Sequence, residues 1–212
     1  MPPSTRTTTS KKPHEPPPFP APHRCRTRRL RQKSPETQCP AARQRRPCPR
    51  ASPAESYPAR LAELTGWTVT NGGVSGDTSA QALARLPELL REHTPHLVII
   101  SIGGNDFLRR QPENETRTNI RAIIQACKAA GAETLLVGVP GVGVGAALGY
   151  PGDHPLYADL AKAENVPYYA NGWSQILGKD ALKSDQIHPN AAGYAEFARG
   201  LTAYLKENGW LR

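Results

Sequence analysis

Asp185-Gln186-Ile187-His188 places a carboxylate three residues before an imidazole, with Pro189 next. On one loop, such a carboxylate can hold the ring in a single tautomer, and a ring so held can take and return a proton. Two more polar segments lie upstream: Asn71-Gly72-Gly73-Val74-Ser75-Gly76-Asp77-Thr78 and Gly103-Gly104-Asn105-Asp106. Each has an ordinary reading by itself. An Asp can cap a helix, an Asn can close a turn, and a Gly can serve backbone geometry. Their order along the chain is the informative feature, because each follows a segment that reads as a strand.

Those positioning elements are legible from periodicity. Tyr57 to Thr65 reads as a short helix, and Trp67-Thr68-Val69-Thr70 as a strand ending at Asn71. A helix starts near Thr78, with a capping box to Gln81 and a stripe of Leu83, Leu86 and Leu90. Pro87 is expected to kink or divide it. Leu97 to Ile102 is a continuous apolar run, the pattern of a parallel strand buried on both faces. Residues 116–130 read as a helix, Thr134 to Val139 as a second buried strand, and 155–164 as a helix. Val166 to Tyr169 reads as a short strand. A last helix after Asn190 carries Tyr194, Phe197, Leu201 and Leu205 and stops near Gly209. Strands alternating with helices predict an α/β fold, a three-layer α/β/α sandwich with a mostly parallel, flavodoxin-like sheet. In such sheets functional groups gather beyond the carboxyl ends of the strands.

The first fifty residues are of another kind. They hold 13 Lys+Arg against 2 Asp+Glu, 12 of the 22 Pro, and no Gly, Val, Ile, Trp or Tyr. Residues 51–212 carry 14 Lys+Arg against 16 Asp+Glu, so the chain's net +9 belongs to its first fifty residues. That segment has too little apolar surface to offset the entropy of ordering, and residues 1–50 are read as disordered. An Arg-rich arm attracts phosphates, so nucleic-acid contact is one reading of it. No aromatic residues are interleaved for base stacking, which counts against that reading. The chain has no apolar run of membrane-spanning length and no apolar signal-peptide core. The expected location is therefore cytoplasmic as written, or periplasmic or secreted with a different N-terminus. Cys25, Cys39, Cys48 and Cys127 match no zinc or disulfide spacing.

From Ser56 on, the chain resembles the SGNH hydrolases, also called GDSL esterases/lipases, and is most similar to the bacterial branch of arylesterases and acyl-thioesterase/lysophospholipases. The resemblance rests on Ser75-Gly76-Asp77-Thr78-Ser79, Gly103-Gly104-Asn105-Asp106 and Asp185-Gln186-Ile187-His188-Pro189. Ser56-Tyr57-Pro58-Ala59-Arg60-Leu61 resembles the helix after the family's first block. It covers residues 51–212 and implies hydrolysis of small carboxylic esters or thioesters through an acyl-enzyme, without cofactor or metal, by a monomer. It also implies roles: His188 as general base, Asp185 as its orienting partner, and Gly76 N–H and the Asn105 amide as oxyanion donors.

The family's nucleophile, a Ser in a Gly-Asp-Ser-Leu segment ending the first strand, does not occur in this sequence. Its position would fall near Gln44, within Ala41-Ala42-Arg43-Gln44-Arg45-Arg46. Gly76-Asp77-Thr78-Ser79 superficially resembles it but precedes Gly103-Gly104-Asn105-Asp106 as the family's second block does. The first strand is thus expected to be missing or replaced, with activity impaired. The abrupt change at Arg50/Ala51 is the junction that an out-of-frame or mis-started segment would leave. A pseudoenzyme or binding protein is the alternative. Two rivals carry less. Gly141-Val142-Gly143-Val144-Gly145-Ala146 fits a dinucleotide fingerprint but opens no helix, because Gly149, Pro151 and Gly152 follow. His93, His96 and Asp153-His154 offer metal ligands without a recognisable third.

Overall fold

The computed structural model describes residues 52–141 and 151–211. The chain divides into Met1–Gln44 and Arg45–Arg212, and all described residues belong to the second unit. The basic segment, most of the glycine-rich 141–146 stretch and the expected nucleophile position therefore lie outside the described residues.

A 3-10 turn at Pro53–Glu55 precedes α1 (Tyr57–Thr65), which stops where Gly66 turns left-handed at φ 73°. α2 (Ser79–His93) starts at Thr78, where Gln81 Oε1 accepts from the Thr78 N–H at 2.9 Å. β1 (Leu97–Ile100) leads into α3 (Gly104–Leu108), α4 (Glu113–Ala129) and β2 (Glu133–Val137). α5 (Pro155–Glu164), β3 (Tyr168–Tyr169), α6 (Gly172–Leu177), a 3-10 turn at Asp180–Leu182 and α7 (Ala191–Glu207) complete the order.

The sheet is parallel, in the order β1-β2-β3, with Leu97 opposite Glu133 and Leu136 opposite Tyr168. Alternation along β2 sends Leu135 and Val137 to one face and Leu136 to the other. The first face packs on Leu61, Trp173, Ile176, Phe197, Leu201 and Leu205 of α1, α6 and α7. The second packs on α2, α4 and α5, through Leu86, Ile120, Ile124, Cys127, Leu156 and Leu160 among others. This is the expected three-layer α/β/α sandwich.

Three local expectations are corrected. Trp67–Thr70 forms no strand, because none of the described residues offers it a ladder partner. β-type side chains favour a pleated surface only where a neighbouring strand supplies one. The run at Leu97–Ile102 yields a strand of four residues, and Leu97, Val98 and Ile99 are half-buried. β1 is hydrogen-bonded to β2 alone among the described residues. Pro87 does not divide α2. It sits on the exposed face, where water can satisfy the carbonyl its missing N–H leaves free.

Candidate functional site

The tightest polar arrangement is the loop between the last 3-10 turn and α7. An antiparallel bridge joins Lys183 to Pro189, and the Ser184 N–H donates to the His188 carbonyl at 2.9 Å. Asn190 fixes the loop to the helix. Its Oδ1 caps α7 by accepting from Gly193 N–H at 3.0 Å, while its Nδ2 donates to the Ala181 carbonyl at 2.9 Å. In this frame Asp185 accepts from the N–H groups of Ile187 (3.0 Å) and His188 (2.8 Å). Its carboxylate oxygens lie 2.8 and 2.9 Å from His188 Nδ1. Desolvation works to raise the Asp185 pKa, yet the hydrogen bonds from Ile187 and from the His188 ring and N–H outweigh it. They hold the carboxyl below its ordinary value. A charged carboxylate on Nδ1 selects the Nδ1–H tautomer and leaves the Nε2 lone pair as the basic position. The loop is open to solvent, with 44% of the His188 side chain exposed, so a reactant can reach it.

The second group joins the segment before α2 to α3. Gly103 has φ 110°, and a Cβ there would strike the Tyr157 hydroxyl, which donates to the Ile102 carbonyl at 2.6 Å. Only glycine fits that turn, and the turn starts α3 directly at Asn105 and Asp106. Three side chains of this segment then grip the chain at 76–79. Asn105 Nδ2 donates to the Asp77 carbonyl at 2.9 Å. Asp106, only 2% exposed, accepts from the Ser79 N–H (2.8 Å) and hydroxyl (2.5 Å), and from the Thr116 hydroxyl at 3.3 Å. Arg109 Nη2 donates to the Gly76 carbonyl at 2.7 Å. Gly76 itself is left-handed (φ 86°), and its N–H donates to no partner among the described residues. Arg85 Nη1 pairs with the Asp77 carboxylate at 2.5 Å.

Asp185 and His188 are thus joined directly, and Gly76 and Asn105 are joined through Asp77 and Arg109. Ser101, at the carboxyl end of β1, accepts from Trp173 Nε1 at 2.9 Å. Trp173 packs edge-on against Tyr194 (5.9 Å), whose hydroxyl pKa is pushed up by burial and then by the charge of Asp185. Two of the residues weighed as metal ligands, Asp153 and His154, have other partners. Asp153 accepts from Tyr168, the Asn171 N–H and Ser174, and His154 Nδ1 caps α5 at the Leu156 N–H (3.3 Å). A cavity of about 500 Å³ lies beside α3, lined by Phe107, Leu108, Arg110, Gln111, Glu113 and His154. His154 stacks on Phe107 at 4.5 Å.

Arg109, Trp173 and the tying role of Asp106 escaped the sequence reading. Their partners lie 27 to 72 residues away, beyond any local spacing rule. The Asp106 that follows Asn105 was visible as part of a motif, but not as the buried tie between α2 and α3.

Comparison with known proteins gives this arrangement a context. The GDSL-like Lipase/Acylhydrolase family model matches residues 41–196, starting upstream of the compositional boundary at Arg50/Ala51. The esterase TesA of Pseudomonas aeruginosa is 34% identical over 143 residues, covering 66% of this chain and 70% of that protein. An Escherichia coli protein named as a thioesterase, protease and lysophospholipase is 36% identical over 153 residues, covering 66% and 69%. Among solved structures, a psychrotrophic esterase EstA from Pseudoalteromonas, inhibited by monoethylphosphonate, superposes with a TM-score of 0.63. It is 27% identical, with 73% of this chain and 87% of that one covered.

Proposed function

The chain belongs to the GDSL-like lipase/acylhydrolase family, and on that premise we propose that its described domain performs the base and oxyanion half of ester or thioester hydrolysis. His188 Nε2 is the general base, and Asp185 holds the ring and stabilises the imidazolium that forms. Gly76 N–H and the second N–H of Asn105 Nδ2 receive the negative charge that develops on the carbonyl oxygen. Fixed donors of this kind are typically worth about 10²–10³ in turnover each. The substrate class is a small acyl ester or thioester, as the names of the relatives suggest.

The observation that carries this reading is the 2.8 Å contact between Asp185 and His188 Nδ1, backed by two backbone donors on the same carboxylate. It is the arrangement a proton-transferring imidazole requires, and a solvated surface histidine has no need of it.

The nucleophile is the weak point. No Gly-Asp-Ser-Leu segment occurs in the chain, and a triad without its nucleophile typically loses about 10⁶ in turnover. We therefore read the chain as an esterase framework with impaired turnover, and the 1–50 segment as standing in place of the strand that would carry the serine. Hydrolysis of short p-nitrophenyl esters tests the assignment. Any activity above the buffer rate should vanish in His188→Ala, and activity that survives would place the chemistry elsewhere.

A further inference from the structure

Asn105 and Asp106 of α3 and Arg109 at its C-cap grip the 76–79 segment at three points, and the three grips differ in kind. The Asp106 grip is buried and shared with Thr116, so it holds helices together. The Asn105 grip uses one amide hydrogen of a side chain whose other hydrogen remains free. The Arg109 grip comes from an exposed residue, outside either apolar cluster. An exposed arginine needs no such partner for its own solvation, and exposed polar contacts contribute little to stability.

What Arg109 holds is the carbonyl of Gly76, in the peptide next to the free Gly76 N–H. Gly76 is at φ 86°, a conformation glycine leaves readily in either direction. A donor fixed on its carbonyl removes that freedom. Asn105 meanwhile holds the following carbonyl, that of Asp77, so two successive peptides are tied to α3. Charge supports the same conclusion. The Asp77 carboxylate is paired with Arg85, whereas Arg109 has no carboxylate partner among the described residues. Among the described residues its positive charge thus has no carboxylate counterpart, and the neighbouring Gly76 N–H has no acceptor.

We propose that Arg109 is a positioning residue of the oxyanion site: its guanidinium locks the Gly76 carbonyl so that Gly76 N–H and Asn105 Nδ2 address one anionic oxygen, and it lends that oxygen a nearby positive charge. The inference rests on the reading of Gly76 and Asn105 as oxyanion donors. It adds a residue that touches the donor rather than the substrate.

The test is an NMR titration of the full chain with butyrate, a carboxylate of the product class, which reports on the donors without needing a nucleophile. In the unaltered chain the Gly76 amide and Asn105 side-chain amide signals shift on addition of butyrate. Arg109→Gln, which keeps a donor but removes the charge, weakens butyrate about tenfold. Arg109→Lys, which keeps the charge, weakens it less. Arg109→Ala weakens it most and moves the Gly76 amide signal before any butyrate is added. Thermal midpoints of all three variants stay near that of the parent, because Arg109 is exposed. Parent-like butyrate affinity in all three variants overturns this proposal alone. Silence of both the Gly76 and Asn105 signals in the parent overturns the oxyanion reading, and this proposal with it.

Discussion

β1 and β2 lie side by side with similarly apolar sequences, Leu-Val-Ile-Ile and Glu-Thr-Leu-Leu-Val, yet their surroundings differ. Leu135, Leu136 and Val137 of β2 are fully buried, with a strand on each side. Leu97, Val98 and Ile99 of β1 are half-buried, with a strand on one side among the described residues. The same division runs through the candidate site. The Asp185–His188 loop is closed by a bridge, a helix cap and four contacts on one carboxylate. Among the described residues Trp67–Thr70 has the composition of a strand and no ladder, and Gly76 N–H has no partner. Among the described residues the Asp185–His188 pair and the grips on 76–79 are stabilised by separate contacts, so each can form without the other.

Substitutions at adjacent residues of α3 sharpen that comparison most. In a chain given a nucleophile, Asn105→Ala should lower kcat by about 10²–10³ with little change in thermal midpoint. Asp106→Ala should do the reverse at first. It strands the Ser79 N–H and hydroxyl in the interior, at about 1–3 kcal/mol for each unmet group, and should lower the midpoint by several degrees. Equal stability losses at the two positions would erase the distinction between a donor aimed at substrate and a tie between helices.

Hydrogen exchange probes the open edge directly. Amides of Leu97–Ile100 that point away from β2 should exchange orders of magnitude faster than those of Leu135–Val137, because among the described residues only the latter lie between two strands. Uniform protection across both strands would show that β1 has a neighbour after all.

The smallest effect concerns the complete side. Burial, with the Tyr194 hydroxyl adding, pushes Tyr57 up to about 12. The unfolded chain loses that proton near 10 and the folded chain near 12, so the folded state binds more protons between those values. Stability that is fully present below pH 10 should then fall as pH rises from 10 to 12. Tyr57→Phe should flatten this decline. Identical alkaline slopes in the two proteins would contradict the enclosure of Tyr57 by Trp173 and Phe197.

The sequence made the complete side easier to read than the open one. α1, α5 and the cap of α7 at Asn190 follow from periodicity and end signals, and the structure forms them where those signals lie. The Asp185–His188 pair is local, three residues apart, so spacing alone exposes it. Trp67–Thr70 reads as a strand because propensity is local, whereas pairing depends on a neighbour that composition does not reveal. α3 and α6, five and six residues long, are shorter than two helical turns and leave no periodic signature. The three grips on 76–79 span 27 to 33 residues and emerge only once α2 and α3 are packed.

The most direct test of the account is to replace residues 1–50 with a parallel strand ending in Gly-Asp-Ser-Leu and to measure p-nitrophenyl butyrate hydrolysis. The account predicts a gain of at least about 10³-fold over the present chain, lost again in His188→Ala. A folded protein that carries the new strand and shows no gain would contradict the claim that the base and oxyanion half is already built.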